Sequence, residues 1–587
     1  MKKAFALMLS VFFVLALLAG CAGSGNVQTN NSGTAAQETT TQPENTAGSG
    51  GASEPEPTEN SPYHLAAGKY ETDANGIPLA LYEYESPLTT GEDVLTFWTT
   101  TFSPQYIPEE GFDYMPNVIG ERERTGVNME YIIVGSEMRF ENLAVLLASD
   151  DLPDVLSQAL IFIGMSPNQA VSEGFLVNLY DYREYMPNYM YYANNLDANT
   201  KATIESEAGT IYAFYALFDK CYTTMGYMVR EDWLNKFDLT HDDIVTIDDV
   251  HEMLTLFKTQ IDGCQWPMEI ISSVDVVNFF SCFDTQTQVD STALPTGYIV
   301  DGQVVLPHSG PNDLKFVDTL SQWFSEGLID PNWPSYLYTA YFAGNVAGGV
   351  TGFTFMQPSE VDGFEGMSPD PDTQWAPVKS TLLTKDQTLH FAYGATNLGY
   401  GHSCIASRCS NIPLAISWCD WRYSPTGSFF SSYGEEGVTW EYGENGVPTM
   451  TDYAVRNPDG ITYASLSMFY MVNFLAEHGM EIYDRKYAFN GGERFLAMHG
   501  YWDEIANDNA YKWPSGIHFT DDQNAELARY GGDLVTFISE NFLAFLDGSK
   551  ALDEWDTYVA ALYDMGWEEV RQIKQEAYDA FIAQNIS

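Results

Sequence analysis

The chain has 587 residues and a net charge of −55, from 81 acidic against 26 basic side chains. That excess of acid excludes nucleic acid, whose phosphates need clustered lysine and arginine, and it disfavours polyanionic ligands and adhesion to anionic lipid. Neutral or cationic ligands remain, and a chain of this length needs more than one hydrophobic core.

The first element is a short leader. Lys2 and Lys3 precede an apolar run from Ala4 to Leu18, and Leu18-Ala19-Gly20-Cys21 closes the segment as a lipobox. The run makes ~22 Å of helix, short of the ~30 Å of a bilayer core, so a cleaved signal fits better than a permanent span. Small residues at 19 and 20 let a peptidase reach the backbone, and the Cys21 thiol is the acylation nucleophile. The alternative is a plain secretory signal with an accidental cysteine. The expected location is the extracellular face of the cell membrane, with lipid on Cys21 as the anchor, where two acyl chains hold stably.

After Cys21, the stretch 21–62 is built of Ser, Thr, Asn, Gln, Gly, Pro, Ala and Glu, with Val27 its only larger aliphatic and no aromatic or basic side chain. Such a composition cannot bury enough apolar surface to offset ordering, so a disordered tether is expected, with an r.m.s. reach of ~35 Å. No later apolar run is long enough to span a membrane. Six cysteines follow Cys21, at 221, 264, 282, 404, 409 and 419. They read as buried free thiols, since a chain this large does not need staples, although an exported protein permits disulfides. His402 with Cys404 and Cys409 matches no zinc spacing, so neither a metal nor another cofactor is expected.

The elements then alternate. Val94 to Trp98 reads as a strand, Arg124-Thr125-Gly126 as a helix stop, Asn128 to Val134 as a strand, Phe140 to Ala148 as a helix, and Asp154 to Leu156 as the start of another strand. Alternation of this kind predicts βαβ units and a mostly parallel sheet. Thr246 with Asp249 caps a helix over Val250 to Phe257, Pro311-Asn312-Asp313 opens one over Leu314 to Phe324, and the last hundred residues are mainly helical, ending in Glu568 to Gln584.

Several segments together carry a family resemblance. They are Leu146 to Val155 with its Asp150-Asp151-Leu-Pro153-Asp154 core, Gly174 to Leu179, Tyr227 to Lys236 with Arg230, Asp232 and Trp233, Phe342 to Gly352, Tyr433 to Trp440, and Trp555 to Gly566. In this order, behind a lipobox, the chain resembles the extracellular solute-binding proteins of family 1, which serve sugar-type ABC importers as lipoproteins of Gram-positive bacteria. Asn178 stands where that family more often has Asp.

The resemblance implies an α/β fold of two lobes, with a cleft between them, crossing hinge segments and a helical C-terminal region. On this reading residues 63–214 begin lobe 1, 215–397 begin lobe 2, 398–452 return to lobe 1, and 453–587 complete lobe 2. The chain would cross near Phe214-Tyr215, return near Thr396 to Ser403 and cross again near Tyr453. It further implies a monomer that captures a neutral solute, most readily an oligosaccharide, and delivers it to ABC permease subunits without chemistry. The alternatives are a surface-anchored carbohydrate-active hydrolase, or a binding protein that feeds a sensor or takes peptides.

Ligands of open α/β sheets lie at the carboxyl ends of strands, and sugars favour aromatic platforms flanked by hydroxyls and amides. Trp98, Thr99 and Thr100 end the first strand, Tyr215 sits at the expected crossing, Phe353 and Phe355 alternate after a glycine-rich stretch, and Trp421 belongs to an aromatic cluster. These seven are the candidate ligand residues, each with a packing role as its alternative. Trp233 and Trp555 read as structural, and Asp150, Asp151 and Asp154 as turn residues. Gly401-His-Ser403-Cys-Ile405 lacks the closing glycine of a hydrolase elbow, and His251-Glu252 lacks the second histidine of a zinc protease, so no catalytic residue is assigned.

Overall fold

The computed structural model describes residues 61–586, apart from 101–106, 136–137, 206–208, 224, 271–280, 288–293, 333–339, 392–395, 444–445, 456–468, 472–476, 484–491, 515–516 and 518. The leader, Cys21 and the tether to residue 60 lie outside the described residues. Among those described, no helix is long and apolar enough to cross a membrane.

Among the described residues thirteen strands form the sheets. They are β1 (Val94–Thr100), β2 (Asn128–Val134), β3 (Val155–Ser157), β4 (Phe214–Tyr222), β5 (Gly226–Arg230), β6 (Tyr298–Val300), β7 (Gln303–Val305), β8 (Phe353–Met356), β9 (Trp375–Val378), β10 (Thr396–Ile405), β11 (Trp440–Tyr442), β12 (Pro448–Met450) and β13 (Gly479–Glu481). The first lobe is organised by a six-stranded sheet in the order β13-β4-β10-β3-β1-β2. Its neighbours pair in parallel except where β10 runs against β3 and β4. One face packs on helices Pro187–Asn195 and Ile412–Trp421, the other on helix Arg139–Ser149. Gly126 ends helix Pro116–Thr125 in the left-handed region at φ +71, a conformation glycine adopts without a Cβ penalty.

The second lobe packs around the antiparallel sheet β8-β5-β9. Helix Ile247–Gln260 starts on a capping box in which Thr246 and Asp249 satisfy each other's backbone N–H groups. Helix Pro311–Ser325 has Asp313 accepting from Gly310 N at 2.6 Å. Helices Asp521–Leu546, Trp555–Asp564 and Trp567–Ile586 close the lobe. The Arg230-Asp-Trp233 segment is structural. Arg230 is buried, donates Nε and Nη2 to the two oxygens of Asp232 at 2.7 Å each, and lies over the Trp233 ring.

Register shows how the lobes connect. Phe97 pairs with Val155, and Ser403 pairs with both Ser157 and Phe214, so Thr99, Ser157, Ser403 and Phe214 stand level near the carboxyl edge of the sheet. Beyond that level β4 runs on to Tyr222, β10 comes back from Thr396, and β13 pairs with Ala216 to Phe218. These strands form a stalk that leaves lobe 1 at its carboxyl edge. Three residues after Tyr222 the chain enters β5 of lobe 2, where a Cβ on Gly226 would lie 2.5 Å from the Trp502 ring.

The stalk begins at Phe214-Tyr215, but the last crossing does not lie near Tyr453. Tyr453 packs beside Tyr433, Trp440, Met450 and Tyr470, and the chain still pairs with β4 through Glu481. The cause is the short strand β13, whose three residues carry too little pattern to be seen from sequence.

Candidate functional site

The carboxyl edge of β1, β2 and β3, beside the root of the stalk, is where topology places a cleft. Several sequence candidates converge there, but mostly as framework. Trp98 is fully buried among Leu143, Leu156 and Cys404, and its indole N–H donates to Asn142 Oδ1 at 2.7 Å. It therefore packs under helix Arg139–Ser149 rather than offering a face to a ligand. Thr99 and Thr100 are also enclosed, with hydroxyls donated to Glu477 Oε1 at 3.1 Å and to Val134 O at 2.7 Å.

The remaining aromatics divide likewise. Phe353 and Phe355 lie inside lobe 2, stacked on and edge-on to Tyr227. Phe355 borders a narrow recess with Thr223, Gly226, Ser380 and Trp502, but is only 1% exposed. Trp421 is buried against Phe430. Corrected on burial, these side chains are core. Tyr215 alone of the seven is half-buried, with its ring 5.6 Å from that of His402 and its phenol held protonated by burial.

The turn residues behave as expected. Asp154 accepts Thr96 N and Oγ1 at 2.7 Å each and Ser410 N at 2.7 Å, joining β1 to the segment after β10. Burial raises its pKa, but these bonds more than offset it and leave the carboxyl below its ordinary value. Asp150 ends its helix at φ +59 and pairs with Arg408.

Around Tyr215 the edge is furnished by residues that sequence reasoning passed over. Gln158, directly after β3, adopts φ +54, donates its N–H to His402 O at 2.7 Å and accepts from the Arg139 guanidinium. Leu160 N donates to His402 Nε2 at 3.2 Å, so the neutral ring carries its proton on Nδ1. Burial pulls the His402 pKa down to about 4, which keeps it neutral under ordinary conditions. Arg139 is buried and lies over the Phe162 ring at 4.2 Å.

Along the same edge of the sheet, exposed apolar side chains follow the strands: Met138 at 58%, Phe140 at 55% and Ile161 at 42%. They occupy the junctions that follow β2 and β3. Exposed apolar groups beside fixed amides and a half-open phenol are the elements that hold a neutral, ring-shaped ligand. The one signal that could have revealed them is position, since each lies within the first residues after a strand.

Scans against protein-family models and curated proteins find no match to this chain. Solved structures do match. An HMO-binding ABC-transporter-associated solute-binding protein from Bifidobacterium longum infantis aligns at a TM-score of 0.66 and 16% identity, over 84% of this chain and 99% of that one. The chain has the fold of ABC-transporter solute-binding proteins. The Streptococcus pneumoniae substrate-binding protein FusA in complex with kestose gives 0.61 and 19%, over 84% of this chain and all of that one. The alginate-binding protein AlgQ2 gives 0.58 and 20%, over 83% and 98%.

The six cysteines from Cys221 onward are free, with Cys282, Cys404 and Cys419 buried. Burial raises the pKa of each, so they are thiols rather than thiolates at neutral pH.

Proposed function

We propose that this chain is the substrate-binding subunit of an ABC importer. It takes a neutral oligosaccharide between its two lobes, closes on it by bending the stalk, and presents it unaltered to a membrane permease. Lipid on Cys21 holds it at the extracellular face of the membrane, and the acidic, aromatic-rich tether-free body works as a monomer. The observation that carries this reading is coverage: the likeness to solute-binding proteins extends over more than four-fifths of this chain and nearly all of theirs. The charge of −55 disfavours an anionic guest and leaves neutral or cationic ones.

Binding energy in such a protein comes from contacts made in the closed state, which is how closure reports occupancy. The Met138, Phe140 and Ile161 rim supplies apolar contact, and Tyr215 with the neighbouring amides supplies orientation. The test is a glycan panel against residues 61–587, reading melting temperature and products together. A ligand at a hundredfold its Kd stabilises by about 2.7 kcal/mol through mass action. A raised melting point with intact glycan supports the reading. Released sugar products instead identify a hydrolase, stabilisation by peptides alone redirects the solute class, and no stabilisation by any glycan rejects the sugar assignment.

A further inference from the structure

The stalk is not free to bend throughout. Helix Ile412–Trp421 ends at its root, and the two residues that follow the helix reach both outgoing strands. The Tyr423 hydroxyl donates to Tyr215 O of β4 at 2.5 Å. Arg422 O accepts from Met480 N at 3.1 Å. A second phenol beside it braces β4, Tyr189 accepting from Tyr215 N at 3.0 Å and donating to Ala213 O at 2.9 Å. The Tyr189 and Tyr423 rings are 4.9 Å apart, and both are buried.

The same node touches the wall of the cleft. Arg422 Nη1 donates to Glu477 Oε2 at 2.6 Å, while Glu477 Oε1 accepts the hydroxyl of Thr99 near the end of β1. Arg422 Nε and Nη2 donate to the two oxygens of Glu121 at 2.7 and 2.9 Å. The guanidinium is thus fixed on three carboxylate oxygens, with Tyr423 as its chain neighbour.

We propose that Tyr423 is the pivot residue of lobe movement. Its hydroxyl ties β4, and the carbonyl of its neighbour Arg422 ties β13, to the end of helix Ile412–Trp421 at the root of the stalk, so the lobes swing by bending the strands beyond it, and the Thr99–Glu477–Arg422 chain ties the cleft wall to that fixed point. The proposal rests on the reading of a protein whose lobes close, but its test needs no ligand, so a failure to find a glycan leaves the result intact.

Interlobe distances are read by double electron–electron resonance on the whole chain. Nitroxides are placed at Glu123→Cys on helix Pro116–Thr125 and Asp318→Cys on helix Pro311–Ser325, both exposed, with Cys221, Cys264 and Cys409 replaced by serine. Tyr423→Phe is expected to widen the distance distribution to at least about 1.5 times the wild-type width. Tyr84→Phe is the control. It removes a buried hydroxyl that donates to Asp420 in the same core and that bonds neither strand of the stalk. Unchanged width in Tyr423→Phe overturns the proposal, and so does equal widening in Tyr84→Phe, which would mean general loosening. Hydrogen exchange on the unmutated chain adds a check that does not depend on variant folding. Slow amides at Tyr215 and Met480 support the pivot, and fast exchange at both contradicts it.

Discussion

Arg422 and Glu477 meet at 2.6 Å with each side chain only 1% exposed, and Glu121 completes the group from the other side at 2.7 Å. Two carboxylates and one guanidinium leave this buried cluster one negative charge in excess when all are ionised. Burial raises the pKa of Glu477, which Arg422 only partly counters. Removing the cation is therefore costly. Arg422→Met is expected to destabilise lobe 1 by about 3–5 kcal/mol, because two buried carboxylates lose their partner. Urea unfolding measures it, and restoring balance with Glu121→Gln and Glu477→Gln in the same chain should recover most of the loss.

Glu269 offers a pH-dependent counterpart in lobe 2. It is buried beside Asp330, and the Asn345 amide bridges them at 3.3 Å to each. Burial first, then the charge of Asp330, raise its pKa from 4.5 to about 8. The folded chain thus holds a proton that the unfolded chain gives up. The resulting stability is full below about pH 4.5 and is lost as pH rises through about 8, at up to ~1.4 kcal/mol per pH unit for one group. Glu269→Gln should flatten the fall in stability between pH 5 and 8, as followed by denaturant midpoints across that range. An equal slope in both chains would show that Glu269 does not hold the proton.

Trp98 is expected to matter for folding through the core under helix Arg139–Ser149. Trp98→Ala should cost about 3–5 kcal/mol through lost burial and a residual cavity. Thermal unfolding of the ligand-free chain checks it, and a melting temperature equal to that of the wild type would contradict the burial of this indole.

Phe140 should behave in the opposite way. With 55% of its surface exposed, Phe140→Ala is expected to leave the melting temperature of the free chain nearly unchanged. Its affinity for the glycan that stabilises the wild type should fall roughly tenfold, about 1.4 kcal/mol of stacking contact. Calorimetric titration of both chains with that glycan decides it. Equal affinity removes Phe140 from the cleft.

These contrasts mark what was legible in the sequence. β2 matches its expected span from Asn128 to Val134, and the capping pair Thr246 and Asp249 announces its helix, because local pattern and cap chemistry act over a few residues. The two-lobed fold was legible through the ordered motifs, of which Arg230-Asp-Trp233 is explained by an ion pair under a ring. The site was less so. Strand alternation tells which face Trp98 takes, but a helix 44 residues on decides whether that face is covered. In β8 all four residues are buried, so alternation of Phe353 and Phe355 carried no information about a cleft. The floor beside Tyr215 depends on Gln158 meeting His402 across 244 residues, a pairing that no local signal announces.

The central claim is that two lobes close around an uncharged guest and release it whole. Small-angle scattering from residues 61–587, with and without each glycan that raises the melting temperature, tests it directly. The account predicts a smaller radius of gyration in the bound state, with the glycan recovered uncut. A profile that stays the same at saturation, or a guest recovered in fragments, would contradict it.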